Sequence, residues 1–311
     1  FKTVIGLTAF ALSIRLALIS HPSVVVSGEN TIWGLIKNYV EGSFFVSDRP
    51  PLTTLLFMAL IKLVGVDYSG NVPTYGQAYS TDFPFVPLRL LSGLLGAAVI
   101  PIAYLTLQTA GLSSSIATII AGSLALDNAL VTHSRAISND SLSLLLSTVS
   151  YFAWTKYYFQ GNKTQWFLVL SASLGASLSC NWLLGLASII FALLYSFANL
   201  WTAFCTQAPM TTILKGSLKS IFGFVLLPLA FYFAVFAAHF SLITTNAEVS
   251  LLTSFSPEFQ QYFNPLPSTF ETVVYGSTIT LRHRASSSLY LHSHALAWPG
   301  GSKQQQVTGY G

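Results

Sequence analysis

The sequence predicts an α-helical polytopic membrane protein with about seven transmembrane helices, followed by the beginning of a β domain. Two observations indicate this fold class: 52% of the 311 residues are hydrophobic, and only 8% are charged, about a third of the charged share of a soluble globular domain. A lipid-facing surface needs apolar side chains, whereas a soluble one needs charge. The net charge of +4 comes from scattered Lys and Arg without a basic stripe, so we expect no nucleic-acid partner.

Seven apolar stretches approach or exceed the roughly 18 residues that a spanning helix needs. The shortest is separated from the next by only Asn181 and Trp182, which predicts a tight hairpin of two spans. The predicted spans are 3–20, 88–108, 114–132, 142–159, 166–180, 183–201 and 219–240. Residues 52–64 are also apolar, but they would cover only about 20 Å of a 30 Å core. We expect them to lie in the membrane interface, with a short tilted eighth span as the alternative.

Seven spans place the polar loops 21–87 and 133–141 on one face of the membrane. The lysines at or beside the opposite face are Lys2, Lys156, Lys163, Lys215 and Lys219. Because positive charge concentrates on the cytoplasmic side, the two loops are predicted to be luminal. The same topology separates Cys180 from Cys205 and excludes a disulfide between them.

The long loop 21–87 is the predicted location of a functional site. It carries the carboxylate Glu29 beside the membrane, and Arg49 before the rigid turn Pro50-Pro51. One carboxylate suffices as general base when a hydroxyl attacks a sugar whose phosphate leaving group departs already charged. An ordinary solvated loop carboxylate is the alternative.

Three further ionisable residues stand at predicted membrane boundaries: Arg89, Arg135 and Asp140. The arginines could anchor helix ends by snorkelling, or contact a phosphate with paired hydrogen bonds. Asp140 begins a predicted span, where a carboxylate suits the helix N-terminus.

No metal site is expected. His283, His292 and His294 cluster near the C-terminus, but neither Cys nor well-spaced carboxylates complete a coordination shell. Neither a glycine-rich phosphate loop nor a GxSxG elbow is present. A lipid-borne donor is therefore favoured over a soluble nucleotide sugar.

The organisation along the chain follows from these patterns. Residues 1–240 form the predicted membrane region, and 241–272 form a luminal linker. A β domain is expected from near Val273, where TVVYGSTITLRH alternates as a strand does. The chain ends inside that domain.

Several segments together resemble the protein O-mannosyltransferases, a family of the GT-C class. They are VVVSGENTIWGLIKNYVEGSFFVSDRPPLTTLL, VPLRLLSGLLGAAVIPIAYLTL, DNALVTHSRAISNDSLSLLLS and SLSCNWLLGL. The stretch from PLPSTF to the end is similar to the opening of the MIR domain, a luminal β-trefoil. The resemblance implies a GT-C fold in the endoplasmic reticulum membrane and inverting transfer of mannose from dolichyl phosphate mannose to Ser or Thr hydroxyls of acceptor polypeptides. It implies membrane lipids and a homo- or heterodimer with another family member as partners, and no firm cofactor.

The resemblance also assigns residues. The family's F-D-E-V-H-F-G is matched by Gly28 to Gly34, so Glu29 replaces the catalytic aspartate and Asn30 its acidic neighbour. The family's His-Pro-Pro appears as Arg49-Pro50-Pro51. Arg89, Arg135 and Asp140, in contrast, match the family pattern. Catalysis is therefore predicted for Glu29 and Asn30, and donor-phosphate or loop positioning for Arg49, Arg89, Arg135 and Asp140. The alternatives are a weak or inactive paralogue that serves as partner subunit, and a MIR-containing membrane sensor or channel.

Overall fold

The chain is mostly helical. The computed structural model describes residues 2–26, 28–65, 73–79, 83–161, 163–244, 275–276, 279–281, 289–298, 300 and 304–310. The helices are α1 Lys2–Leu16, α2 Glu29–Glu41, α3 Leu52–Val64, α4 Phe85–Thr109, α5 Ser114–Leu126, α6 Asn128–Arg135, α7 Asp140–Phe159, α8 Thr164–Leu178, α9 Trp182–Cys205, α10 Met210–Ile221 and α11 Leu227–Ser241. A π-helical segment, Phe222–Leu226, joins α10 to α11.

Each predicted span coincides with helix, which confirms the membrane-embedded helical fold class. Within the described residues, three helices are long and apolar enough to cross a membrane: α4, α9 and the continuous helix Met210–Ser241. The pair α5–α6 gives a fourth if it counts as one bent span. Helices α1 and α8 have 15 residues each, about 22 Å at 1.5 Å per residue, and are shorter than a bilayer core. The count of seven spans therefore stays a prediction.

Predicted and observed ends differ at the first, third and last spans. Helix α1 ends at Leu16, four residues before the end of the predicted span 3–20. The span 114–132 is broken between α5 and α6, which meet at 54°, because Asp127 is extended and its side chain caps α6 by accepting from the Leu130 N–H at 2.9 Å. The last helix begins at Met210 instead of 219. Its π segment ends at Leu226, two residues before Pro228, whose missing N–H removes one α-helical hydrogen bond.

The membrane helices pack around small residues. Ala11 of α1 and Ala97 of α4 lie in one core with Ala117, Ala121 and Ala125 of α5. Between α7 and α8, the hydroxyls of Ser147 and Ser177 are 2.8 Å apart and those of Ser150 and Ser173 3.0 Å apart. Such small and hydroxylated side chains allow close helix approach inside a bilayer.

The long loop forms two helices instead of an irregular connection. Helices α2 and α3 share a hydrophobic core with α4, built from Trp33, Ile36, Phe57, Ile61 and Leu88. Helix α3 occupies the stretch predicted to lie in the membrane interface. This core fixes the segment that carries Glu29 against the start of α4.

The chain divides into two compact units, Phe1–Ser254 and Phe255–Gly311. The second contains β1 Tyr290–Ala297 and β2 Gln305–Tyr310, paired antiparallel with Tyr290 opposite Tyr310. The strand predicted from Val273 lies mostly outside the described residues; Tyr275 and Gly276 form a turn. The predicted boundaries after 240 and 272 stay predictions.

The hairpin of α8 and α9 generates a test of packing. A Cβ on Gly185 would collide with the backbone of Leu178, whereas a Cβ on Gly122 of α5 would meet nothing within 4 Å. We expect Gly185→Ala to lower the free energy of unfolding by about 1–3 kcal/mol, as overpacking does. Gly122→Ala, the matched control, should be neutral or slightly stabilising. Thermal unfolding in detergent measures both, and equal unfolding temperatures would contradict the close approach.

Candidate functional site

Glu29 is the first residue of α2 and lies beside the start of α4. The chain before it is held by Val25, whose N–H donates to the Gln77 carbonyl at 2.9 Å. Gly28 then adopts φ +85°, a left-handed conformation that favours glycine, and turns the chain into the helix. A carboxylate at this helix N-terminus is electrostatically favourable.

Both carboxylate oxygens of Glu29 are fully engaged. Oε1 accepts from Arg89 Nε at 2.7 Å and from the Ile137 N–H at 3.0 Å. Oε2 accepts from Arg89 Nη2 at 2.7 Å, from the Val26 N–H at 3.0 Å and from the Tyr79 hydroxyl at 2.9 Å. The Glu29 side chain is 0% exposed. The arrangement is a buried bidentate ion pair.

Arg89 is buried together with Glu29 and makes further hydrogen bonds to the loop. Its side chain is 1% exposed, and it also donates from Nη1 to the Pro22 carbonyl at 2.6 Å and from Nη2 to the Val24 carbonyl at 3.0 Å. Its guanidinium lies over the ring of Phe85, 4.9 Å from the centroid. These contacts tie the loop to the start of α4, and the roles predicted for Arg89 stay predictions.

The ion pair sets the protonation of its members. Burial alone would raise the pKa of the Glu29 carboxyl, but hydrogen bonds from Arg89, Val26 and Ile137 and the attraction of Arg89 outweigh burial and lower that pKa. Burial and the Glu29 charge raise the pKa of Tyr79. Glu29 is therefore a carboxylate and Tyr79 a neutral hydrogen-bond donor at neutral pH.

The other predicted residues occupy different places. Asn30 follows Glu29 and is half-buried, and it takes no part in the hydrogen bonds that hold Glu29. Asp140, the first residue of α7, binds Arg49 Nη1 through Oδ1 at 2.7 Å and His133 Nδ1 through Oδ2 at 3.0 Å. All three side chains of this second cluster are partly exposed.

Arg135 acts on a helix end. It donates to the carbonyls of Ile14 at 3.0 Å and Ala17 at 2.7 Å at the C-terminus of α1. The buried Arg15 of α1 returns a bond to the Ala125 carbonyl at 3.3 Å, beside the break after α5. Each arginine thus donates to carbonyls at the C-terminal end of another helix, where no helical N–H is available to them.

A cavity of about 190 Å³ lies between the loop helices and the ends of α9 and α11. It is lined by Leu35, Tyr39, Phe45, Ser47, Arg49, Pro51, Thr54, Trp182, Tyr232, Phe236 and His239. Arg49 is the one predicted site residue among them. His239 and Tyr39 were not predicted from the sequence, although an ionisable residue such as His239 inside an apolar span is itself a signal of a functional site.

No metal-binding group of three or more His, Cys, Asp or Glu side chains occurs in the part of the chain that the structure describes. His292 lies in β1. His283 and the side chain of His294 lie outside the described residues.

The buried ion pair generates a test of stability. Glu29→Gln leaves the Arg89 charge without its counterion, and we expect a loss of about 3–5 kcal/mol in the free energy of unfolding. Glu41→Gln, which removes the exposed partner of Lys37, is the control and should change it by less than about 0.5 kcal/mol. Equal losses in the two variants would contradict a stabilising buried pair.

The same variants have a signature in pH. Because the pKa of Glu29 is lowered in the fold, its stabilisation is complete above the ordinary glutamate pKa of about 4.3 and is lost as pH falls through the lowered value. The difference in unfolding temperature between parent and Glu29→Gln should therefore shrink on acidification. A difference that grows would show the opposite sign of pKa shift.

Comparison with known proteins places this geometry in a family. Residues 5–244 match the family described as dolichyl-phosphate-mannose-protein mannosyltransferase. The chain is 32% identical to dolichyl-phosphate-mannose–protein mannosyltransferase 5 of Saccharomyces cerevisiae, over 99% of this chain and 42% of that protein. It is 30% identical to protein O-mannosyltransferase 1 of Drosophila melanogaster, over 96% of this chain and 35% of that protein.

A solved structure agrees with these sequence matches. It is described as the S. cerevisiae protein O-mannosyltransferase Pmt1-Pmt2 complex bound to the sugar donor, and it matches with a TM-score of 0.84 and 28% identity. The match covers 99% of this chain and 43% of that one. The chain thus spans about two fifths of the length of these relatives. From its sequence and its fold, the chain belongs to the dolichyl-phosphate-mannose-protein mannosyltransferase family.

Proposed function

We propose that the chain is the N-terminal, membrane-embedded part of an endoplasmic reticulum enzyme that transfers mannose from dolichyl phosphate mannose to Ser or Thr hydroxyls of proteins. Family membership supports this, as does the similarity to a complex described as bound to the sugar donor. The observation that carries the proposal is the aromatic cavity that Arg49 lines, because a glycosyl phosphate needs apolar walls for its sugar ring and a cation for its phosphate.

The reaction defines what the site must supply. The acceptor hydroxyl loses its proton to a base and attacks C1 of the mannose from the side opposite the phosphate. The C1–O bond breaks, and its electron pair leaves with the phosphate. A single base and a cation near the leaving group suffice, and the phosphate needs no strong acid.

The geometry ranks the candidates for phosphate contact. All three guanidinium nitrogens of Arg89 already donate hydrogen bonds to Glu29 or to carbonyls of the loop. Arg135 is bonded to the end of α1. Arg49 has one nitrogen on Asp140 and is 40% exposed at the cavity. We therefore assign the donor phosphate to Arg49, and loop or helix positioning to the others.

Glu29 is the candidate base. To accept a proton from the acceptor hydroxyl, its carboxylate would have to leave Arg89 and two backbone N–H groups, and its lowered pKa weakens it as a base. This sealed geometry favours a second candidate function: a weakly active or inactive paralogue that serves as partner subunit in a heteromer. The similar structure is itself a complex of two different members.

A transfer assay separates the two functions. The full-length protein, purified alone, is given labelled dolichyl phosphate mannose and a Ser/Thr peptide. If the chain is active, Glu29→Gln should abolish transfer at temperatures well below unfolding, and Glu29→Asp should retain part of it. No transfer by the parent alone, with transfer restored by a second family member, identifies the partner role.

Arg49→Met tests the phosphate assignment in the same assay. Loss of one hydrogen bond to a charged group corresponds to at least a roughly tenfold lower kcat/KM. Lys37→Met removes a partly exposed cation from α2 that does not line the cavity, and it should leave transfer unchanged. Equal rates for parent and Arg49→Met would overturn the assignment of Arg49.

The luminal orientation of the loop has its own test. Cys205 is exposed at the end of α9, whereas Cys180 is buried before its start. If the loop is luminal, Cys205 faces the cytosol, and an impermeant maleimide should label it in sealed microsomes. The Cys205→Ser variant should lose that label. Labelling of Cys205 only after permeabilisation would reverse the topology.

A further inference from the structure

We propose that His239 is a further catalytic residue of the mannosyl transfer, donating a hydrogen bond from Nε2–H to the leaving phosphate, with Tyr39 as the positioning residue that fixes its tautomer. The inference rests on the proposed function and deepens it, because it assigns the cavity to the phosphate end of a polyprenyl-phosphate sugar. His239 belongs to α11 and is only 7% exposed, yet its ring lines the cavity beside Arg49.

Tyr39 determines which nitrogen of His239 carries the proton. Its hydroxyl is hydrogen-bonded to His239 Nδ1. Tyr39 is 3% exposed, and burial raises the pKa of its hydroxyl, so it stays protonated. A buried O–H needs an acceptor, and Nδ1 is the acceptor it has among the described residues. Nδ1 is therefore unprotonated, and the neutral imidazole carries its proton on Nε2.

The remaining polar groups of the cavity are also donors. Trp182 Nε1–H donates to the Tyr232 oxygen at 3.3 Å, which leaves the Tyr232 proton for another acceptor. Arg49 uses Nη1 on Asp140, and the rest of its guanidinium has no partner among the described residues. None of the described lining residues is a carboxylate; Asp140, which pairs with Arg49, is not among them. A lining with several donors and no carboxylate of its own selects a ligand rich in acceptors and negative in charge.

The apolar walls narrow the ligand further. Phe45 lies edge-on to both Tyr39 and His239, with centroids 4.9 and 5.3 Å away, and Tyr232 packs on Phe236 at 4.7 Å. Aromatic rings offer faces to the C–H groups of a sugar or an isoprene unit. An anionic group attached to such apolar chemistry fits these walls better than a free ion.

The charge balance of mannosyl transfer explains why a hydrogen-bond donor to the phosphate would lower the barrier. The donor lipid is a phosphodiester with one negative charge. When the acceptor oxygen bonds to C1 and the C1–O bond to phosphate breaks, the electron pair stays on phosphate, while the acceptor proton goes to the base. The leaving polyprenyl phosphate thus gains one negative charge. Donors that contact that oxygen would stabilise the transition state more than the ground state.

The experiment uses the full-length protein in detergent and labelled dolichyl phosphate, the product, as probe. His239→Phe keeps a ring but removes the donor, and Tyr232→Phe removes one hydroxyl. We expect His239→Phe to weaken binding roughly tenfold or more, the value of one hydrogen bond to a charged group. Tyr232→Phe should weaken binding in the same direction. If His239→Phe does not fold, Tyr232→Phe alone decides: unchanged binding by it then overturns the inference.

Matched controls separate this site from general packing. Tyr104→Phe also removes a buried hydroxyl, one bonded to Ser114 at 2.9 Å outside the cavity, and should leave binding unchanged. Tyr39→Phe should weaken binding of dolichyl phosphate but not of dolichol, and should lower kcat more than it raises KM. Loss of dolichol binding in step with dolichyl phosphate would reduce Tyr39 to a packing residue and overturn its assignment.

Competition distinguishes the source of the phosphate. Unlabelled dolichyl phosphate should displace the probe, whereas inorganic phosphate and phosphatidic acid vesicles should not at the same concentration. Displacement by either, or parent-like binding by a folded His239→Phe, overturns the inference. Mannosyl transfer by the parent is measured in parallel: transfer with parent-like His239→Phe refutes only the role of His239, whereas absence of transfer refutes the activity proposed for the chain.

Discussion

The buried ion pair between Glu29 and Arg89 is the interaction on which the loop depends. It joins the start of α2 to the start of α4, and through the Ile137 N–H it also holds the turn before α7. Burying either charge without the other would be strongly unfavourable. The carboxylate accepts five hydrogen bonds from four residues, Val26, Tyr79, Arg89 and Ile137, and so ties together parts of the chain that are far apart in sequence.

The membrane region solves a related problem with its helix ends. The last turn of a helix leaves backbone carbonyls without helical partners. Two arginines provide the missing donors. Arg15 of α1 donates to the Ala125 carbonyl at the end of α5, and Arg135 of α6 donates to the Ala17 carbonyl just after α1. Arg135 thus has a structural use that is independent of any substrate.

Much of the helical organisation could be predicted, because long apolar runs report directly on the bilayer as solvent. The break at Asp127 and the early start of the last helix at Met210 were not predicted, because they depend on local capping and on the π segment before Pro228. Glu29 and Arg89 were both singled out, but their pairing across 60 residues is a property of tertiary contact. His239 and Tyr39 meet across 200 residues, and no local spacing encodes that.

Helix α2 is restrained at both of its ends. Its first residue is in the buried ion pair, and just beyond its last turn the Gly42 carbonyl accepts from the Thr244 N–H at 2.8 Å, where the chain leaves α11. Tyr39 adds the contact with His239. A rigid strut of 13 residues therefore connects the acid at one end with the cavity wall at the other. Because Glu29 and Tyr39 belong to the same short helix, the ion pair and the cavity wall cannot shift independently of each other unless α2 bends.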